Sequence, residues 1–174
     1  LQNQNHARCA YAGVRVEHYR EGMLGTTDLL NQSFHWQRLW GRNYLPIHAV
    51  LFERSLLDDG CRFDETLEVY EDWDFWVQIT QYTDFVHVDH VTACYRNYGH
   101  SGFGLETDKS FIHKAKGAYF SKWKSIWSGE QMSELIEYRE TWLEQVNNQL
   151  HEQQAECNEY QQGRAEHKHT IAEH

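Results

Sequence analysis

The hydrophobic pattern divides the chain into a strand-rich first half and a helical second half. Residues 8–19 read Arg-Cys-Ala-Tyr-Ala-Gly-Val-Arg-Val-Glu-His-Tyr. Their β-branched and aromatic content predicts a strand with Val14 and Val16 on one face. Gly22 and Gly25 mark a turn. Asp28 to Trp40 predicts a short helix in which Leu29, Phe34, Trp36 and Trp40 include an i,i+4 tryptophan pair. The compact apolar run 47–53 predicts a buried strand, ended by Asp58-Asp59-Gly60. Residues 71–82 predict a helix, with Phe75, Ile79 and Tyr82 on one face. Phe85–Val88 and Val91–Tyr95 predict two short strands, followed by a loop from Gly99 to Gly104.

From about Thr107 the chain holds no proline and the helical period takes over. One helix runs to about Trp127, Ser128-Gly129 interrupts, and a second starts near Gln131. Met132, Leu135, Trp142, Val146 and Gln149 or Leu150 repeat at a 3–4 spacing, with Arg139 on the same seam. That is about two to three heptads, short of the three to four that define a coiled coil. The seam predicts either self-association through 131–150 or packing within the chain. Residues 161–174 read as a polar tail without fixed structure.

Composition narrows the function classes. A length of 174 residues suits one domain. Aromatics make up 14% of the chain, including seven tryptophans, enough apolar surface to offset chain entropy. Sixteen basic against 26 acidic residues leave a charge of −10, which argues against nucleic-acid partners. No apolar run approaches the ~18 residues of a membrane span. Cys9, Cys61, Cys94 and Cys157 lack zinc-knuckle spacing and predict thiols in a reducing, cytoplasmic setting. The histidine clusters His87-Val88-Asp89-His90 and His167-Lys168-His169 supply no third convergent ligand, so no metal site is assigned to them. Five of the six lysines fall between Lys109 and Lys124 among aromatic residues. A helix over 109–127 would therefore either lie peripherally on an anionic membrane or pack its aromatics on the preceding domain and solvate its lysines.

The densest chemistry lies at 58–74, with eight acids and one arginine. Asp72 and Asp74 spell Asp-x-Asp, a pattern that holds a metal in many glycosyltransferases. On a helix, positions i and i+2 sit about 200° apart, so these two carboxylates should diverge. Glu71-Asp72 at a helix start instead enjoys the backbone N–H groups and the macrodipole. An ionised carboxylate in an aromatic-walled site is a usable general base, with Trp73 and Trp76 as walls for the C–H faces of a sugar. The simpler reading of the same residues is an N-cap followed by core tryptophans.

Three pieces in order carry a family resemblance: Asn43-Tyr44-Leu45-Pro46-Ile47-His48-Ala49-Val50-Leu51-Phe52; Gly60-x-x-Phe63-Asp64-Glu65-x-Leu67 with Glu71-Asp72-Trp73-Asp74-x-Trp76; and Val91-Thr92-Ala93-x-Tyr95-Arg96 with Ser101. The stretch 8–104 resembles the C-terminal, acceptor-side half of family 2 glycosyltransferases, which are inverting enzymes. The resemblance implies an α/β fold (α+β as a fragment): a partial glycosyltransferase A-type domain with a mixed sheet over 1–106. A helical extension over 107–160 and the polar tail 161–174 follow. It implies Asp72 as the base that deprotonates the acceptor, Glu71, Trp73 and Trp76 as the acceptor pocket, and Arg96 and His100 at the donor diphosphate. It implies a nucleotide-sugar donor, a saccharide or lipid-linked acceptor, and Mn²⁺ or Mg²⁺ whose main ligands are not in this chain. The donor-binding half has no counterpart here, and the start at Leu1 rather than Met predicts a fragment inactive in isolation. The other class left open is a non-catalytic sugar-binding or protein-interaction module.

Overall fold

A computed structural model describes residues 7–99 and 109–172, with side chains to Asn158 and at Tyr160. Strand β1 (Cys9–Arg20) is central to a mixed four-stranded sheet. It turns back on β2 (Met23–Leu30) through Glu21-Gly22, with Arg20 paired to Met23. Both turn residues have positive φ, 51° and 78°, the geometry of a two-residue hairpin whose twist matches its strands. Gly22 serves this turn, whereas Gly25 lies within β2. On the same edge, β3 (Val50–Phe52) pairs antiparallel with the start of β1, so β3 and β2 share one edge end to end. The other edge is β4 (Phe85–Asn97), parallel to β1 from Cys9↔Phe85 to His18↔Asn97.

The two short strands expected at 85–95 are thus one irregular strand. Its register against β1 jumps around Gly13, where Val88 gives way to Val91 and then Ala93. The buried positions of β1 shift there too, from Cys9 and Tyr11 to Val14 and Val16. Asn31 holds the irregularity: its Nδ2 donates to Asp89 Oδ1 at 2.7 Å, and its Oδ1 meets His87 Nε2 at 2.8 Å. A Cβ at Gly13 would lie 2.6 Å from Asn31 Oδ1, so this close approach needs glycine.

The chain between the hairpin and β4 supplies much of the core. Helix α1 (Trp36–Gly41) is shorter than expected because Asp28–Leu30 stays in β2. The Trp36–Trp40 pair forms, with ring centroids 4.7 Å apart. The run 47–53 also departs from expectation. Ile47–Ala49 is a 3₁₀ turn, β3 is only three residues long, and Leu51 points to solvent. After the short helix α2 (Ser55–Asp58) comes α3 (Glu71–Ile79), which buries Trp73, Asp74, Phe75, Trp76, Val77 and Ile79. Tyr82 lies beyond its end and is exposed. Buried indoles need an acceptor: Trp76 Nε1 donates to the Leu45 carbonyl at 2.9 Å, and Trp73 Nε1 to that of Leu39.

Helix α4 (Lys109–Trp123) turns its aromatics inward. Tyr119 stacks on Trp73 with centroids 3.8 Å apart and donates to the Trp40 carbonyl at 3.2 Å. Trp127 stacks on Trp40 at 4.8 Å. The Ser128-Gly129 break is a reciprocal cap: Ser128 Oγ accepts from Gln131 N at 3.1 Å, and Gln131 Oε1 accepts from Ser128 N at 2.9 Å. Helix α5 (Gly129–Ala172) starts there and carries through the polar stretch from 161, where the sequence predicts no fixed structure. Leu135, Tyr138, Trp142 and Val146 are half-buried, and Tyr138 packs 5.5 Å from His35 near α1. Tyr138 therefore takes the place expected for Arg139 on the docked seam. From Asn147 to Asn158 every described side chain is exposed. Among the described residues, no helix is long and apolar enough to cross a membrane.

Candidate functional site

A cleft of ≈ 520 Å³ opens where the segment before β3 faces the start of α3. Arg42, Asn43 and Pro46–His48 line one side, and Glu68–Trp73 line another. Tyr95 enters from β4, and Ile112 and Lys116 from α4. Tyr70, which opens α3, has φ 72° and ψ 19°. This left-handed conformation costs a non-glycine residue on the order of 1–3 kcal/mol and is found preferentially at functional sites. It sets Tyr70 edge-on to Trp73, 5.3 Å between centroids, and brings Glu71-Asp72 to the cleft as the helix begins.

Asp72 is half-buried. Its Oδ1 accepts from Trp73 N at 2.7 Å and from Asn43 Nδ2 at 3.1 Å. Asn43 is itself fixed, since its Oδ1 accepts from Leu45 N at 3.2 Å. Among the described residues no other residue donates to Oδ2. Burial pushes the Asp72 carboxyl above its ordinary value; the Trp73 and Asn43 hydrogen bonds work against that shift and the charge of Glu71 adds to it. The N-cap of α3 is Tyr70, whose side chain makes no capping bond, so Asp72 is not the cap; as the second helical residue it takes one of the helix's spare N–H groups. It also has the half-desolvated, fixed carboxylate that a general base needs.

Asp74 faces the other way and is fully buried. Its Oδ2 accepts from Lys122 Nζ at 2.8 Å and Gln78 Nε2 at 2.6 Å, and its Oδ1 from Trp123 Nε1 at 2.9 Å. The same Lys122 Nζ bonds Asp64 Oδ2 at 2.7 Å. The divergence expected of positions i and i+2 is what the structure has. Asp72-x-Asp74 therefore does not fit a divalent ion, since one carboxylate is committed to a lysine and an indole. Among the described residues no group of three or more His, Cys, Asp or Glu is arranged to hold a metal.

The remaining candidates separate. Glu71 is exposed on the cleft. Trp73 lines the cleft but is only 1% exposed, so it offers an edge rather than a stacking face. Trp76, expected as a wall, is sealed among Phe52, Phe75 and Phe85 and does not reach the cleft. Strand alternation puts Tyr95 in the cleft, stacked 5.6 Å from His48, and turns Arg96 to the other face of the sheet. There Arg96 Nε lies 3.5 Å from Glu17 Oε2, away from Asp72. His100 and Ser101 lie outside the described residues.

Sequence reasoning missed Arg42, Asn43, His48, Tyr95 and Lys116 as cleft residues. Asn43 and His48 stand in the first matching segment, and period two along β4 would have paired Tyr95 with the cleft once Arg96 was placed. Lys116 stood out only within the lysine-rich window, and α4 lies beyond the matched region. No family model, no curated protein and no solved structure matches the chain.

Proposed function

We propose that this chain is the acceptor-side half of an inverting family 2 glycosyltransferase, with Asp72 as general base. The observation that carries the reading is Asp72 itself. It is half-desolvated, its Oδ1 is fixed by Asn43 and the Trp73 N–H, and it borders a cleft of ≈ 520 Å³, a size suited to a small ligand. In the parent, an acceptor hydroxyl transfers its proton to Asp72 as its oxygen attacks the anomeric carbon of a nucleotide sugar. The bond from that carbon to the diphosphate breaks, the nucleoside diphosphate leaves, and the configuration inverts. Glu71 and the Trp73 edge border the acceptor. The divalent metal implied by the resemblance would act on the leaving diphosphate, and its ligands are not assigned among these residues. A cytoplasmic location, with a saccharide or lipid-linked acceptor, belongs to the same proposal.

Asp72→Asn in the full-length parent should lower transfer by about 10²–10⁴-fold, the usual contribution of a general base, while donor binding persists. Retained turnover would remove Asp72 from the base role. The placement of Arg96 on the far face of the sheet favours a second reading, a sugar-binding module without transfer chemistry. Calorimetric titration of the chain with oligosaccharides and with nucleotide sugars separates the two when run beside an assay for donor-dependent product. Oligosaccharide binding with no product from the parent supports the module.

A further inference from the structure

The cleft beside Asp72 holds two cations that the transfer chemistry does not use. Arg42 follows α1, and Lys116 belongs to α4, 74 positions further along the chain. Both are exposed, and among the described residues neither side chain makes an ion pair or a hydrogen bond. Cations elsewhere are committed to acids: Lys122 to Asp64 and Asp74, Arg8 to Glu53 and Asp59, Arg96 to Glu17. Lys116 also has an uncommon place on its helix. It stands in the row Ile112, Lys116, Phe120 at i,i+4 spacing, and the other two members are half-buried. Lys114, two residues earlier and about 200° around the helix, is exposed and outside the cleft. Lys116 is thus turned from the solvent face of α4 toward the cleft.

We propose that the ligand of this cleft is an acidic saccharide, whose carboxylate or phosphate group is bound by Arg42 and Lys116. The proposal rests on the cleft being a saccharide site, and it names the class of acceptor. A ligand that fills the cleft displaces water from both cations, and a cation desolvated without a counter-charge is costly. A neutral sugar offers them only hydroxyl oxygens. An oxyanion offers charge-assisted hydrogen bonds, roughly twice as strong, and the planar guanidinium of Arg42 suits two of its oxygens at once. Glu68 and Glu71, exposed on another side of the cleft, suit a different part of the same ligand. Ionised carboxylates only accept, so sugar hydroxyls satisfy them by donating, and Asp72 takes the proton of the hydroxyl that reacts. Ile47, 49% exposed, and the stacked His48–Tyr95 pair add apolar surface for the C–H face of the ring. The three kinds of lining group match the three parts of an acidic sugar: its hydroxyls, its ring face and its oxyanion.

The test is an NMR chemical-shift titration of the full chain with glucose, glucuronic acid, glucose 6-phosphate and inorganic phosphate. Glucuronic acid, glucose 6-phosphate or both should bind about 10-fold or more tighter than glucose, the gain from one hydrogen bond to a charged group. The acid that gains more tells a sugar carboxylate from a phosphate ester. Arg42→Gln with Lys116→Gln should remove the gain and leave the affinity for glucose unchanged, whereas Lys114→Gln should alter neither. Both positions of the double variant are exposed, so near-ultraviolet circular dichroism of the tryptophan core should be unchanged, which separates lost binding from lost folding. Equal affinity for the three sugars, or a gain that survives the double variant, overturns the acidic class and leaves the saccharide reading standing. Binding of none of the three sugars removes the saccharide reading and this proposal with it. Inorganic phosphate binding as tightly as glucose 6-phosphate overturns the proposal in favour of a general anion site.

Discussion

Asp72 and Asp74 stand two residues apart on one helix in opposite surroundings. Asp74 is sealed in the core, where both oxygens accept donors, from a lysine, an indole and an amide. Asp72 borders a cleft, and both of its hydrogen bonds fall on one oxygen. A carboxylate whose acceptor capacity is fully committed inside the fold acts as structure. A carboxylate that is held firmly by one oxygen and open at the other can act on a ligand. The two are joined through α4: Lys122 anchors that helix to Asp74 and Asp64, and the anchored helix contributes Ile112 and Lys116 to the Asp72 cleft.

The sharpest way to break the contrast is to remove the cation on the structural side. Lys122→Ala leaves Asp74 charged and buried without its partner, and should lower unfolding stability by about 3–5 kcal/mol. Urea denaturation measures it. Adding Asp74→Asn should restore part of that loss, because the uncompensated charge goes with it. A single-variant loss below about 1 kcal/mol, the level of an exposed pair, would mean that the network does not hold α4.

Acid separates the same two sides. Lys122, then Thr66, hold the Asp64 carboxyl down at about 2. A depressed value stabilises the fold above the ordinary aspartate value of about 3.9, and that contribution is lost as pH falls through about 2. The urea midpoint of Asp64→Asn should therefore depend less on pH across this window than that of the unaltered chain. For Asp72 the sign reverses. Its raised value means that folding penalises the ionised form, so its contribution weakens as pH climbs from the ordinary aspartate value to the raised one. Asp72→Asn, the variant that tests the proposed base role, should thus be no less stable than the original at pH 7.

A smaller effect concerns orientation. Asn43→Ala removes one donor from Asp72 Oδ1 and should cost about 1 kcal/mol. It should also move the Asp72 titration further up, because a hydrogen bond that favours the charged form is gone. Carbon-detected NMR of the Asp72 carboxyl follows this directly. An unchanged midpoint would show that the 3.1 Å contact does not tune the carboxylate.

Local pattern carried much of the fold. β1, α3 and the break at Ser128-Gly129 follow from β-branched and aromatic content, 3.6-residue spacing and a Ser-Gly interruption. The misses share a cause, because neighbouring segments decided them. Asp28–Leu30 reads as helical but pairs with β1, and the two short strands at 85–95 merge because β1 offers one continuous parallel edge. For the candidate site, the Glu71-Asp72 helix start was legible and its surroundings were not. Trp73 and Trp76 have the same composition and nearly the same position along the chain, yet only Trp73 borders the cleft. Arg96 and Tyr95 are adjacent, and strand alternation sends them to opposite faces.

The sequence by itself determined the class of local structure and the divergence of Asp72 from Asp74, because helical geometry separates positions i and i+2 whatever surrounds them. It also determined that a helix with an apolar seam would follow Ser128-Gly129. Tertiary structure decided which carboxylate meets the cleft, that Asn43 and Lys116 join it from 29 and 44 positions away, and which stripe of α5 stays bare. Those outcomes depend on which helix packs where. Such packing is settled by many long-range contacts acting together, and no single window of residues encodes it.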